Sequence, residues 1–282
     1  MIFNTMVRGE NIGYPKTGYH NSICRGNNLG DHVTEGQWAE IAAGTFGDMY
    51  IGDYWQITAS DGTADRTVKW VICAFDYYMN VGSPRITDHH LVMMPRELLS
   101  LGGITYINTE NAGVTVYSQE SANQFKWHAT MAAPNSSKTY DVKYTDSRIR
   151  NVVLPVADIL VKNAFGQSHC LAVQEYLPTT MDSTTGLATA ANWTSDARIC
   201  DLCNENMVFG SLVKGNSVFE VGASSTQLPI FAYSRPFMNI YSSWWLRNVS
   251  SPTNPSVVYY RGAPLSLGSA NIAGVRPRFC IY

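Results

Sequence analysis

Two short blocks near the C-terminal end of the sequence constrain the fold most strongly. The first is WWLRN at residues 244–248 and the second is GVRPRF at residues 274–279. Their large apolar side chains suit a buried sheet, and arginines taken out of water there need fixed partners. We therefore predict two scaffold strands, over residues 244–249 and 274–281. Residues 228–238, which contain two prolines, are predicted to lead into the first block as an extended segment.

The segment between the two blocks, residues 250–274, has a different composition. It is rich in Ser, Pro, Asn, Gly and Ala, carries Tyr259, Tyr260 and Arg261, and contains no Lys, Glu, Gln, Asp, Met or Trp. Turn-forming residues mixed with aromatic ones are typical of binding loops on a rigid scaffold, and antibody paratopes use the same mixture. An ordinary surface loop is the alternative, because turn residues are common in every loop.

WWLRN followed by GVRPRF closely resembles the end of the variable proteins of diversity-generating retroelements, in particular those carried by phages and prophages of gut bacteria. The phrases GTFGDMYIGDYWQI, AFDYY and DHHLVMMP also resemble this family, so the resemblance covers most of the chain. Asn248 stands where the family usually has Asp. The resemblance implies an α+β protein with a C-type-lectin-like fold, in which a small, twisted, mostly antiparallel sheet carries two or three helices and long loops.

The same resemblance implies which residues vary and which form the scaffold. This family mutates adenines, mostly in AAC codons, and the outcomes exclude Lys, Glu, Gln, Met and Trp, in agreement with residues 250–274. The variable region would span about residues 250–273, with ligand-binding positions at Asn254, Val257, Tyr259, Tyr260, Arg261, Ala263, Leu265, Ser266, Leu267 and Asn271. The scaffold would include Trp244, Trp245, Leu246, Arg247, Gly262, Gly274, Arg276 and Pro277, and Gly262 would be kept because it forms a turn. Tyr259, Tyr260 and Arg261 are the predicted affinity anchors, because Tyr and Arg dominate interface hot spots.

The function implied by the resemblance is non-enzymatic binding of a host cell-surface protein or glycan, at the tip of a phage tail and without a cofactor. A homo-oligomer such as a trimer on a tail or fibre would multiply a modest affinity. One alternative is an enzyme of the formylglycine-generating type on a related fold, which would need two cysteines in a cleft and a depressed thiol pKa. Another is a prophage or cell-surface structural module without a variable function.

The composition of the chain bears on the remaining classes of function and on the location of the protein. The 282 residues include 20 basic and 22 acidic ones, so the net charge of −2 leaves no footprint for nucleic acid or an acidic membrane. No apolar run suits a signal peptide or a membrane span, and we expect cytoplasmic synthesis followed by incorporation into a virion. The six cysteines are too sparse for a disulfide framework and are predicted to be free thiols. We predict an N-terminal arm at residues 1–30, for attachment or oligomerisation, and one domain at residues 31–282.

Local patterns predict the elements of the first half. Thr34 followed by Gln37 fits a capping box and begins a helix that Gly44 ends. Two strands, one around MYIGDYWQIT and one over residues 68–75, flank the hairpin-type connection SDGTAD. Residues 98–143 are polar and weakly patterned, which favours long loops.

A second helix is predicted to begin with Asp146 as its cap and to end at Gly166, with a kink or break at Pro155. HCLAVQEYL is then a candidate strand, and TTMDSTTGLATAANW is predicted to be a loop.

A third helix is predicted from Ser195 or Asp196 to Gly210. Cys200 and Cys203 form a CxxC pair within it, and no second pair follows at zinc-finger spacing. Packing or partial exposure is therefore favoured over a zinc or redox site.

Residues 88–90, Asp-His-His, are the most metal-like group in the chain. Neighbouring residues of a strand point to opposite faces, which favours a structural role over a metal site. The sequence has no Glu-Pro-Asn, Gln-Pro-Asp or Trp-Asn-Asp triplet of calcium-dependent lectins, no G-x-S-x-G and no Gly-rich phosphate loop. We predict no catalytic residue, no metal and no cofactor.

Overall fold

A five-stranded sheet forms the centre of the computed structural model, which describes residues 19–105, 120–127, 143–181, 188–194, 196–215, 226–251, 254–269 and 271–282. In spatial order the strands are β1 (Tyr54–Ser60), β2 (Asp65–Phe75), β3 (Leu91–Pro95), β12 (Phe279–Ile281) and β5 (Cys170–Leu171). Every neighbouring pair is antiparallel. The predicted hairpin between β1 and β2 is therefore confirmed, although only the second half of MYIGDYWQIT is a strand.

In the described residues, three smaller antiparallel sheets and five α-helices accompany the main sheet. The sheets are β8 (Trp244–Ser251), β9 (Asn254–Val258) and β10 (Pro264–Ser266); β4 (Phe125–Lys126) with β11 (Ile272–Ala273); and β6 (Tyr176–Met181) with β7 (Ala188–Trp193). The helices are α1 (Glu35–Ala42), α2 (Leu154–Phe165), α3 (Glu205–Phe209), α4 (Pro229–Tyr233) and α5 (Arg235–Met238). Antiparallel sheets with few helices agree with the predicted α+β class. Within the described ranges no helix has the length and apolar character needed to cross a membrane.

The capping box predicted at Thr34 is present. Thr34 Oγ1 accepts the N–H of Gln37 at 3.2 Å, and Gln37 Oε1 accepts the N–H of Thr34 at 3.0 Å. Gln37 Oε1 also accepts the indole N–H of Trp55 at 3.2 Å, so the cap joins α1 to β1.

Residues 24–30, the part of the predicted arm nearest the domain, lie along the free edge of β1. Leu29 donates its N–H to Tyr54 O at 2.8 Å, and Arg25 Nη2 lies 2.6 Å from the buried carboxylate of Asp53. These residues therefore extend the sheet edge and form part of the domain. Residues 1–18 of the arm, and most of the polar stretch predicted at 98–143, lie outside the described residues.

The start of the second helix differs from the prediction. Asp146 belongs to a separate 3-10 turn, and Ser147 caps the helix because its Oγ accepts the N–H of Arg150 at 3.2 Å. A π-helical turn at Ile149–Val153 leads directly into α2.

Pro155 does not break this helix. It lies in the first turn of α2, and the helical backbone continues through it from the π-helical turn. Gly166 ends the helix as predicted, with φ of 83°.

The segment predicted as a loop, TTMDSTTGLATAANW, instead contributes to the β6–β7 hairpin. HCLAVQEYL is not one strand, because it supplies β5 and only the start of β6. The rings of Tyr176 and Trp193, opposite each other in the hairpin, lie 5.4 Å apart. The pairing could not be predicted from the local sequence, because the run of Thr and Ala residues lacks a clear strand pattern. Each strand is instead stabilised by its pairing with the other.

The third predicted helix is reduced to α3, capped by Asn204 and ended by Gly210 in the left-handed region at φ 78°. The residues before it are extended, because Asp201 and Arg278 exchange backbone hydrogen bonds of 3.0 and 2.8 Å. Pairing with a distant segment thus overrides the local helical pattern. Cys200 and Cys203 consequently do not lie on a helix.

Residues 228–238 are not extended either. They form α4 and α5, and each helix has a proline in its first turn, Pro229 and Pro236. Proline is favoured there because the first N–H groups of a helix have no intrahelical partner.

A single buried carboxylate joins the two C-terminal blocks. Glu175 Oε2 accepts a hydrogen bond from Arg247 Nη1 at 2.5 Å, and its Oε1 accepts one from Arg278 Nη2. All three side chains are at most 2% exposed. Arg247 belongs to WWLRN and Arg278 to GVRPRF, so Glu175 supplies the fixed partner that the sequence analysis required for each block.

We expect Glu175→Gln to lower the free energy of unfolding by about 3–5 kcal/mol, because it leaves two buried guanidinium groups without their carboxylate. The amide preserves the side-chain shape, so the loss reports the charge. Urea unfolding followed by tryptophan fluorescence measures it. Asp88→Asn, at an exposed acid, is the control and should change the free energy of unfolding little. Equal losses in the two variants would contradict the role of Glu175 as the shared partner of Arg247 and Arg278.

Candidate binding surface

The first C-terminal block forms a fully buried strand. Trp244, Trp245 and Leu246 of β8 are 0% exposed, and Trp245 Nε1 donates to Phe125 O at 2.7 Å. β8 pairs with β9, and β9 pairs with β10, to form the three-stranded sheet. The predicted scaffold role of the block is consistent with this burial.

Gly274 connects the second block to β8. Its O accepts the N–H of Trp245 at 3.0 Å, and its N–H donates to Ser243 O at 2.9 Å. A methyl group added at Gly274 would lie 2.4 Å from Leu98 Cδ1, so a larger residue here would displace the Leu98 side chain.

Arg276 holds its charge in the core through carbonyl groups and aromatic rings. Its Nη1 donates to Phe237 O at 2.8 Å and its Nη2 to Pro95 O at 3.0 Å, while the rings of Phe237 and Trp244 lie 4.3 and 5.0 Å from Cζ. Burial lowers the pKa of Arg276 to about 10, which still leaves it protonated at neutral pH. Pro277 beside it is buried as well.

The chain between the blocks turns back at residues 259–263, which connect β9 to β10. Gly262 donates its N–H to Tyr259 O at 2.7 Å, and Tyr259 donates its N–H to Ala263 O at 2.7 Å. Gly262 has φ of 79°, a conformation that glycine adopts without steric cost. The predicted role of Gly262 in a turn agrees with this geometry.

Nine of the ten predicted variable positions have at least part of the side chain at the surface. We call these nine the tail surface: Asn254, Tyr259, Tyr260, Arg261, Ala263, Leu265, Ser266, Leu267 and Asn271. Leu265 and Leu267 are half-buried and pack against the core, whereas Tyr259, Arg261 and Ala263 are exposed.

Val257 is the exception, and the structure does not support its prediction as a ligand contact. It is 0% exposed and lies in β9 between Trp245 of β8 and Leu265 of β10. A side chain that is fully enclosed cannot contact a ligand, so Val257 belongs to the scaffold.

The three predicted anchors form one contiguous group. The rings of Tyr259 and Tyr260 meet edge to face with centroids 4.4 Å apart, and Arg261 Cζ lies 5.0 Å from the Tyr260 ring. Tyr259 is 39% exposed. Rings that hold each other in place lose little conformational freedom when they bind a partner.

Tyr241 is a surface residue that the sequence analysis missed. It is 80% exposed and has φ of 56°, although a bulky side chain rarely adopts positive φ. The pairing of Trp244 with Val258 places the chain before β8 beside the 259–263 turn, and a methyl group added at Gly262 would lie 3.4 Å from Asn239 Cβ. An aromatic residue in the Asn- and Ser-containing stretch just before WWLRN was the available signal.

The charged side chains of residues 226–282 are all positive. Residues 226–282 contain five arginines and no Asp, Glu or Lys. Arg247, Arg276 and Arg278 are buried, so Arg235 and Arg261 remain exposed. The tail surface is therefore suited to a partner with carboxylate or other anionic groups.

The cysteines do not have the properties that the enzyme alternative requires. No disulfide joins them, as predicted, and all but the exposed Cys24 are buried. Burial raises the pKa of Cys203 and of Cys280 to about 12, and it also raises the pKa of Cys200. Such thiols stay protonated at neutral pH and are poor nucleophiles.

The Asp-His-His segment makes structural hydrogen bonds. His89 Nδ1 lies 2.7 Å from Asp76 Oδ2, while His90 Nε2 accepts the N–H of Tyr78 at 3.0 Å. An accepting Nε2 requires neutral imidazole, and burial lowers the pKa of His90 in agreement. In the part of the chain that the structure describes, no three His, Cys, Asp or Glu residues are grouped to hold a metal ion.

Comparisons of the chain with protein-family models, with curated proteins and with solved structures give no match.

We expect Tyr241→Gly to raise the free energy of unfolding by about 1 kcal/mol, because glycine removes the steric cost of positive φ at an exposed site. Urea unfolding measures the change. Tyr233→Gly, at an exposed tyrosine in α4, should lower it by about 1 kcal/mol through helix propensity. A large loss from Tyr241→Gly would instead mean that Tyr241 stabilises the fold.

Proposed function

We propose that this chain is a non-enzymatic ligand-binding protein, the variable protein of a diversity-generating retroelement with a C-type-lectin-like fold. In this proposal the tail surface is the diversified face, and it recognises a protein or glycan on a host cell from the tip of a phage tail. The antiparallel sheets and short helices are compatible with such a fold.

One observation carries the proposal: complete burial gives way to exposure within a few residues of the same segment. Val257 and Val258 are 0% exposed, whereas Tyr259, Arg261 and Ala263 are exposed at the tip of the same hairpin. Side chains at the tip of the hairpin have little influence on the buried scaffold, so substitutions there leave the core contacts unchanged.

The chemistry of the tip also supports binding. Tyr and Arg are enriched at the centre of protein interfaces, where Lys, Glu and Asp are depleted. Residues 250–274 have this composition, and Tyr241 extends the aromatic surface beyond them.

We extend the proposal to display in several copies, for example as a trimer on a tail or fibre. A small face has limited affinity, and linked copies raise the effective concentration of the next contact. Sedimentation of the purified chain gives the number of copies, and a strict monomer at micromolar concentration would contradict this extension.

We expect Tyr259→Ala combined with Tyr260→Ala to weaken host-cell binding by about 2 kcal/mol or more, roughly thirty-fold. The melting temperature should stay within about 2 °C of the parent, because surface substitutions change stability little. Flow cytometry of the labelled chain on a panel of gut bacterial strains measures binding. Tyr19→Ala, at another exposed tyrosine, is the matched control. A large fall in melting temperature, or binding that survives, would contradict the proposal.

Diversification itself has a separate test in related genomes. We expect differences between sister copies of the gene to be confined to codons 250–274 and to fall at adenines of a nearby template copy beside a reverse transcriptase. The codon of Val257 should vary among apolar residues only, because its side chain is enclosed. Differences spread evenly over the gene would favour a structural module without a variable function.

A further inference from the structure

Two adjoining cavities lie on the outer face of the main sheet and include none of the tail-surface residues. One has a volume of about 350 Å³ and is lined by Gln56, Thr67 and Ser100, among others. The other has a volume of about 370 Å³ and reaches Tyr54 and Gly26. Lys69, Arg96 and Glu97 line both, so we treat the two as one site, the sheet groove.

The floor of the sheet groove places two basic residues opposite each other in neighbouring segments of the sheet. Gln56 of β1 is opposite Lys69 of β2, and the N–H of Arg96 donates to Lys69 O at 2.8 Å where the β2–β3 pairing continues beyond Pro95. The three side chains therefore form one row across the outer face. Like charges directly opposite each other destabilise a sheet, so stability does not explain why Lys69 and Arg96 occur in one row.

Neither cation of the row is neutralised by the protein. In the described part of the chain no carboxylate lies within ion-pair distance of Lys69 or Arg96. The nearby Arg66 differs, since its Nε lies 2.8 Å from the buried Asp61. Lys69 Nζ rests 5.3 Å from the centroid of the Tyr54 ring, which holds the ammonium group over the groove.

The other groups of the sheet groove are acceptors and an aromatic surface. Asp65 and Glu97 are exposed carboxylates on its wall, Gln56 is an exposed amide, and the Tyr54 ring is half-buried. Sugar hydroxyls donate to carboxylates and amides, and a carboxylate on the sugar would pair with the cationic row. The combined size suits a small ligand, since binding pockets measure about 300–1,000 Å³.

We infer that the sheet groove is a second, fixed binding site for an acidic saccharide, whose carboxylate lies between Lys69 and Arg96 and whose hydroxyls face Glu97 and Gln56. A simple inorganic anion fits less well, because it lacks the several hydroxyl donors that Glu97 and Gln56 can accept. A neutral sugar would leave the cationic row unpaired. Because its residues lie outside residues 250–274, this site would stay constant while the tail surface varies.

Titration calorimetry of the full chain with glucuronic acid, galacturonic acid and N-acetylneuraminic acid tests the inference, with glucose and inorganic phosphate as comparison ligands. We expect saturable binding of at least one acidic sugar and weaker or no binding of the comparison ligands. Lys69→Gln and Arg96→Gln should each weaken that binding by about tenfold or more, the effect of losing one charge-assisted contact.

Stability separates a binding role from a structural one. Lys69→Gln should leave the melting temperature unchanged or raise it, because it removes the repulsion with Arg96. Lys214→Gln, at an exposed lysine outside both sites, should bind the acidic sugar as the parent does. The inference is overturned if no acidic sugar binds, or if phosphate or glucose binds as tightly as the acidic sugar. It is also overturned if Lys69→Gln and Arg96→Gln weaken binding only to the extent that they lower the stability of the fold.

Discussion

The Glu175 carboxylate, shared between Arg247 and Arg278, is the interaction on which the C-terminal half of the structure depends. It lies almost fully buried between two strands that the sequence separates by the whole of residues 250–274. Two guanidinium groups and one carboxylate out of water are costly unless each oxygen has a donor, which both Glu175 oxygens have. The main effect of the arrangement is therefore to determine which segments of the chain meet, and its contribution to stability is smaller. Arg276, which donates to backbone carbonyls, fixes a third point of the same frame.

This frame explains how an exposed surface and a core coexist in one short segment. β8 and β9 are enclosed, and the turn that follows Val258 leaves the core abruptly. Residues beyond that point differ in how freely they are exposed. Arg261 and Ala263 project from the turn, whereas Leu265 and Leu267 touch the core and so accept a narrower range of side chains. The tail surface is thus graded, with the greatest freedom at the turn and the least along β10.

The sequence predicted those features that neighbouring residues determine by themselves. The Thr34–Gln37 box, the β1–β2 hairpin and the positive φ of Gly262 each follow from a few adjacent residues. Features decided by distant partners were missed: Arg278 draws residues around Asp201 out of the predicted helix, and the β2–β3 register brings Lys69 beside Arg96. The α4 and α5 prolines were misread as signs of extended chain. Val257 shows that a family pattern of variable positions does not give the exposure of each one.

The position of β12 has a consequence for biosynthesis. This strand lies between β3 and β5, yet its residues follow the entire 250–274 stretch. The nascent chain cannot close its largest sheet until that stretch has left the ribosome. A stop codon or frameshift anywhere within it removes β12 and leaves β3 and β5 without their common neighbour. Chains truncated within residues 250–274 therefore lack the strand that joins β3 to β5 in the largest sheet.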